Sequence, residues 1–247
     1  MNANFVELGE RGYPKLLEQI KDPPKKLYYK GEWNERLFEK CLAVVGSRRM
    51  TSYGERCVRP LVYDVAAAGV TVVSGFMYGI DASAHRAALD TPAAGRASSR
   101  TVAVMPCGID LIIPEYQAGL YNKIISSGGL VISEFEADFP PSPWTFPKRN
   151  RIVAGLCQAV LVVEAGFGSG SLITAEFAKN FGRKVFAVPG NIDSKLSQGT
   201  LSLIEDGATM VTSSKKILEF YKVESAGSIR GNVLGRSDGR SIGNKLL

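Results

Sequence analysis

The sequence predicts an α/β fold: a doubly wound, mostly parallel sheet covered by helices on both faces. Three observations predict it. Short apolar, Val-rich runs alternate with helix-length amphipathic segments through most of the chain. The runs are continuously apolar rather than alternating, as strands buried on both faces must be. Nearly every run stops at Gly, Ser or Pro, so the small-residue ends are expected to line one rim of the sheet, where open parallel sheets bind ligands.

Taken in order, residues 1–40 are amphipathic and punctuated by Pro14, Pro23 and Pro24, with a short extended piece at Leu27, Tyr28 and Tyr29. They read as a small N-terminal helical cap packed on the main domain. The main domain, 41–222, opens with a strand at 42–45 that ends in Gly46-Ser47-Arg48-Arg49. The helix at about 54–68 carries Val58, Leu61, Val62 and Val65 on one face and stops at Gly69. A strand at 70–73 ends in Ser74-Gly75, and an Ala-rich helix at 80–89 bears Asp81 and His85 four residues apart. A polar loop at 91–100 leads to a strand at 101–105, a helix near 117–126 and a strand at 130–133 that stops at Glu134.

The stretch 146–190 is the centre of the chain. Lys148-Arg149-Asn150-Arg151 opens a short helix, and the strand 159–163 ends in Glu164-Ala165. The loop Gly166-Phe167-Gly168-Ser169-Gly170-Ser171 then opens a helix at 172–181, followed by a strand at 185–188. A short helix (199–205), a short strand (209–211) and a last helix (213–222) complete the domain. Beyond them, 223–247 is a Gly- and Ser-rich basic tail, expected to be disordered.

Composition excludes several classes of function. No apolar run approaches the roughly 18 residues of a membrane span, and the N-terminus lacks a secretion signal. A cytoplasmic protein with no membrane partner is expected. Cys41, Cys57, Cys107 and Cys157 form no C-x-x-C pair, so they read as buried reduced thiols, and a single histidine argues against a multi-histidine metal site. The net charge is +6, but the seven basic and three acidic residues from Lys215 onward carry +4 of it, leaving +2 for the body. Global charge is therefore no argument for nucleic acid, and local clusters must carry it.

Three rim loops share one chemistry: Gly46-Ser47-Arg48, Ser74-Gly75 and Gly168-Ser169-Gly170-Ser171. Small residues let backbone N–H groups approach an anion, and a following helix N-terminus favours negative charge. One such loop alone reads as a tight turn. Three of them, with Arg48, Lys148, Arg149, Asn150 and Arg151, read as a phosphate-binding rim. No dinucleotide or P-loop fingerprint is present. The stiff segment from Pro140 to Pro147 adds Trp144 and Phe146, and aromatics beside arginines suit single-stranded nucleic acid. Phe146 is assigned to packing, while Trp144 is compatible with either role. Asp81 and His85 read as a structural pair on one helix face. Glu134 and Glu164 read as carboxylates that bond backbone amides and order the rim arginines, not as an acid–base couple. Arg48 and Arg149 are both expected outside the core.

These residues resemble the DNA-processing protein A family (DprA, also called Smf). The matches run from about residue 12 to 211 and include Gly46-Ser47-Arg48, Gly79-Ile80-Asp81, Ala84-His85, Gly108-Ile109-Asp110, Arg149-Asn150-Arg151-Ile152, Ser169-Gly170-Ser171-Leu172 and Pro189-Gly190. The resemblance implies an extended Rossmann-like domain that binds single-stranded DNA and is not a catalyst. It also implies no cofactor, a homodimer, a contact with the RecA recombinase and a role in natural transformation. By resemblance, Arg48 and the Arg149-Asn150-Arg151 segment fall on the DNA-binding pocket. The chain departs from the family pattern at Met77-Tyr78, Ile113, Gln117 and Leu201. The short tail offers no counterpart to the winged-helix domain of many members, so duplex binding through one is not expected. A nucleoside-monophosphate phosphoribohydrolase on a related fold is the alternative, but 165–176 lacks that class's Pro-Gly-Gly opening.

Overall fold

A computed structural model describes residues 4–91 and 101–224. Among the described residues there are nine strands: β1 (Asn4–Glu7), β2 (Lys26–Lys30), β3 (Cys41–Val45), β4 (Thr71–Gly75), β5 (Thr101–Val104), β6 (Leu130–Ser133), β7 (Ala159–Val162), β8 (Lys184–Ala187) and β9 (Thr209–Met210). They form one sheet in the order β1-β2-β6-β5-β4-β3-β7-β8-β9. All pairings from β6 to β9 are parallel. The chain winds outward from β3 through β4, β5 and β6, then returns to β3's other side for β7, β8 and β9. The winding therefore reverses between β3 and β7, and that switch point opens a crevice at the strands' carboxyl ends.

Period-two alternation divides each strand between two cores. Ala43, Val45, Val160 and Val162 face the layer of α1 (Lys15–Glu18), α5 (Thr145–Gly155), α6 (Gly170–Asn180) and α7 (Gln198–Glu205). Leu42, Val44, Leu161 and Val163 face the layer of α2 (Ser52–Ala67), α3 (Ile80–Leu89) and α8 (Lys215–Tyr221). Ala103 and Val131 pack with α4 (Ala118–Ser126) on that same side. The central strands β3 to β7 are buried along their whole length, which is why they read as unbroken apolar runs.

The lead-in departs from the expected helical cap. It packs on the main domain through Tyr13, Leu17 and Ile20, but its only helical pieces among the described residues are the single turn α1 and a 3-10 turn at Glu35–Phe38, and β1 and β2 extend the sheet as an antiparallel pair beside β6. Prolines at 14, 23 and 24 prevent a longer helix. Pairing with β2 also covers a β6 edge that would otherwise expose unpaired backbone groups. Cys41, Cys107 and Cys157 are buried free thiols, and Cys57 is half-buried. Among the described residues no helix is long and apolar enough to cross a membrane. Most of the expected 91–100 loop and the tail from 225 lie outside the described residues.

Candidate nucleic-acid interface

The loops after β3 and β7 are tied together at the switch point. Ser47 N–H donates to the Glu164 carbonyl at 2.8 Å, and Ile80 N–H donates to the Ser47 carbonyl at 3.2 Å. The Glu164 carboxylate is buried at the start of α2, where it accepts from the Thr51 N–H at 2.9 Å and from the Thr51 hydroxyl. A carboxylate there complements the helix dipole and satisfies an end amide that has no partner inside the helix. It ties the start of α2 to the end of β7.

Arg149, on α5, is only 4 % exposed, so the surface position expected for it is corrected. Its Nη1 donates to the Val104 carbonyl at 2.5 Å. The guanidinium and the Asp81 carboxylate lie against Gly75, where any Cβ would overlap both. Glycine at the end of β4 is thus a requirement of close approach. Burial raises the Asp81 pKa and Arg149 opposes the rise, with bonds to the Met77 backbone and the Ser74 hydroxyl working in the same direction as Arg149. Burial likewise lowers the Arg149 pKa, and Asp81 counters it.

His85 and Asp81 do not act as a pair. His85 Nε2 lies 2.7 Å from the Gly75 carbonyl and Nδ1 lies 2.7 Å from the Thr101 hydroxyl. A carbonyl only accepts, so Nε2 carries the proton, while the Thr101 hydroxyl beside Nδ1 also reaches the Val72 carbonyl, at 3.0 Å. Burial pulls the His85 pKa down to about 4. Asp81 and His85 therefore brace the same glycine turn from two sides.

The crevice above this frame has a volume of about 550 Å³. Arg48 and Arg49 stand exposed on its β3 side. The Arg48 guanidinium lies 5.0 Å from the centroid of the Phe146 ring, a cation–π contact. Opposite are Gly168, Ser169, Gly170 and Ser171 at the start of α6. Gly168 has φ +71°, a conformation that favours glycine, and Ser169 caps the helix by accepting from the Ser171 N–H at 3.4 Å. Asn150 Nδ2 donates to the Gly170 carbonyl at 3.1 Å and joins α5 to that loop. Phe167 lines the crevice and is 75 % exposed.

Of the residues singled out in the sequence, Gly46, Ser47, Arg48, Gly75, Arg149, Asn150, Gly168, Ser169, Gly170 and Ser171 converge on this crevice. Ser74 is buried beneath it and donates to the Val44 carbonyl at 2.6 Å. Lys148 and Arg151 leave it altogether. Arg151 is 6 % exposed; its Nη2 bonds Glu134 at 2.6 Å and its Nε bonds Asp22 at 3.1 Å. Lys148 Nζ lies 3.5 Å from the same Glu134 oxygen. Trp144 also points elsewhere, edge-on to Phe135 and Phe139, whereas Phe146, assigned to packing, forms part of the crevice wall. Arg49, Met77, Asp81 and Phe167 were not singled out for the site, although an aromatic residue inside a loop of glycine and serine was a signal for Phe167. Among the described residues, no group of three or more His, Cys, Asp or Glu is placed to hold a metal ion.

The family model for DNA recombination-mediator protein A matches residues 4–222. Protein Smf of Synechocystis sp. is 39% identical over 220 residues, covering 88% of this chain and 54% of that protein. The chain spans about half the length of such curated relatives. The crystal structure of DNA processing protein A from Streptococcus pneumoniae superimposes with a TM-score of 0.80 at 39% identity, over 88% of this chain and 74% of that one. A structure of DNA processing protein A from Helicobacter pylori, described for its single-stranded DNA binding mode, gives 0.76 at 30% identity over 90% and 98%.

Proposed function

This chain belongs to the DNA recombination-mediator protein A family, and we propose that its switch-point crevice binds single-stranded DNA with little regard to sequence. The carrying observation is the meeting, in one crevice, of Arg48, Arg49 and Arg149 with the rings of Phe146 and Phe167 and the start of α6. Cations and helix-end amides suit phosphates, and the exposed Phe167 ring suits unpaired bases, which every sequence supplies, while the half-buried Phe146 seats the Arg48 guanidinium. Phosphate contacts position a strand without reading it.

The protein acts by holding the strand, not by cleaving it. The two carboxylates nearest the crevice are committed: Asp81 to the Arg149 frame and Glu164 to Thr51. This speaks against the phosphoribohydrolase alternative, which needs a free acid–base group. The family relationship further supports a cytoplasmic homodimer that shields incoming DNA and assists RecA in natural transformation. A titration of labelled single-stranded and duplex DNA of one sequence tests the reading. The single strand should bind more tightly, and several unrelated sequences should give similar affinities. Equal binding of the duplex would overturn it.

A further inference from the structure

We infer that a second groove, on the far side of α5's first turn, carries the same DNA strand onward from the crevice. This inference rests on the single-strand reading above. The groove has a volume of about 1170 Å³, and Pro147, in the first turn of α5, lines both it and the crevice, so the two are neighbours across that turn. Its walls combine cations and rings, as in the crevice. Lys21, Lys148 and Arg183 contribute the cations, Arg151 being buried in the wall and engaged by Glu134 and Asp22, and Phe177 and Phe181 contribute two stacked, half-buried rings with centroids 5.8 Å apart.

The charge balance of this groove favours a polyanion. Asp22 is its one acidic lining residue, and that carboxylate is already engaged by Arg151 Nε. Among the described residues, no carboxylate forms an ion pair with Lys21 or Arg183; Arg183 Nη2 donates only to the Leu16 carbonyl, at 3.0 Å. Burial lowers the Arg183 pKa, as expected of a cation without a nearby carboxylate. A strand of DNA supplies the missing counter-charges as phosphates and can lay a base on the Phe177–Phe181 pair. Lys148, which leaves the crevice, thereby has a place on the strand's path.

The test compares single strands of about 5 and about 15 nucleotides, lengths that bracket one such site and an extended one. It uses the full chain and the variant Lys21→Ala/Lys148→Ala. The wild type should bind the longer strand more tightly and with a steeper salt dependence. The variant should bind the short strand as the wild type does, but lose on the order of tenfold for the long one. Its long-strand slope should become shallower by roughly 1.4, two contacts at about 0.7 each. Lys21→Arg/Lys148→Arg should restore the slope. Equal long-strand affinities for variant and wild type would overturn the groove and leave the crevice standing. An equal loss on both strands would also overturn it, because the lysines would then act at the crevice. If the wild type binds neither length, the single-strand reading fails, and the groove with it.

Discussion

Arg149 lies against Gly75 so closely that the glycine hydrogen is the only substituent the site admits. The crevice floor is thus a packed arrangement: a buried guanidinium held by the Val104 carbonyl, with Asp81 beside it and His85 bracing the turn from below.

Gly75→Ala should therefore damage both stability and binding. The added methyl forces the guanidinium off Val104, an overpacking cost of about 1–3 kcal/mol. For a chain of this size that is a drop in Tm of several degrees, about 2–4 °C per kcal/mol. Thermal melts and strand titration on the same preparation check it; an unchanged Tm would show that the frame gives way at no cost.

Arg151→Ala should unfold the protein more readily while acting on DNA only indirectly. It leaves Glu134 buried without its 2.6 Å partner, a loss of about 3–5 kcal/mol for a broken buried pair. Lys148, 3.5 Å away, compensates in part, so about 3 kcal/mol is expected in urea unfolding. Arg151→Met with Glu134→Gln should recover much of the loss.

His85 is the protein's only histidine, so its titration can be followed without ambiguity by NMR of the ring. Its folded pKa of about 4 lies below the ordinary 6.5. The unfolded chain therefore takes up a proton first, and stability present above pH 6.5 is lost as pH falls toward 4. The contribution is about 3 kcal/mol. Asp81, raised by burial, works in the opposite sense. The imidazole should remain neutral at pH 5.5; a midpoint near 6.5 would contradict the buried, bonded ring.

Phe167→Ala should leave Tm unchanged, because the ring is mostly exposed. It should weaken single-strand binding by about 1–3 kcal/mol, the worth of one stacked base. Trp144→Ala should do the reverse: Trp144 packs on Phe135 and Phe139, so stability falls while short-strand affinity holds.

Much of this arrangement was legible in the sequence, for physical reasons. β3 to β7 are buried on both faces and so read as apolar runs, and their small-residue ends mark the rim. The N-terminal strands were less legible because β2 mixes lysine with tyrosine and pairs with residues about 100 positions away. The basic cluster was found but not resolved. On a helix, Lys148 and Arg151 are three residues apart and share a face, which sends both to Glu134. Arg149, one residue along, is turned about 100° and enters the crevice floor. Whether each arginine meets solvent or a buried carboxylate depends on β4 and β6, which lie outside the cluster's own sequence.

The salt dependence of short-strand binding in wild type and Arg48→Ala tests the central claim most directly. Arg48 is exposed at the crevice and takes no part in the buried frame, so its loss should leave the fold intact. With the exposed Arg48 and Arg49 each neutralising a phosphate, and Arg149 already balanced by Asp81 in the floor, log affinity should fall against log salt with a slope of about −1.4, becoming about −0.7 in the variant. Lys215→Ala/Lys216→Ala, on α8, should match the wild type. An unchanged slope and affinity for Arg48→Ala, with binding lost in the α8 variant, would contradict the account and place the DNA at the C-terminal end of the domain.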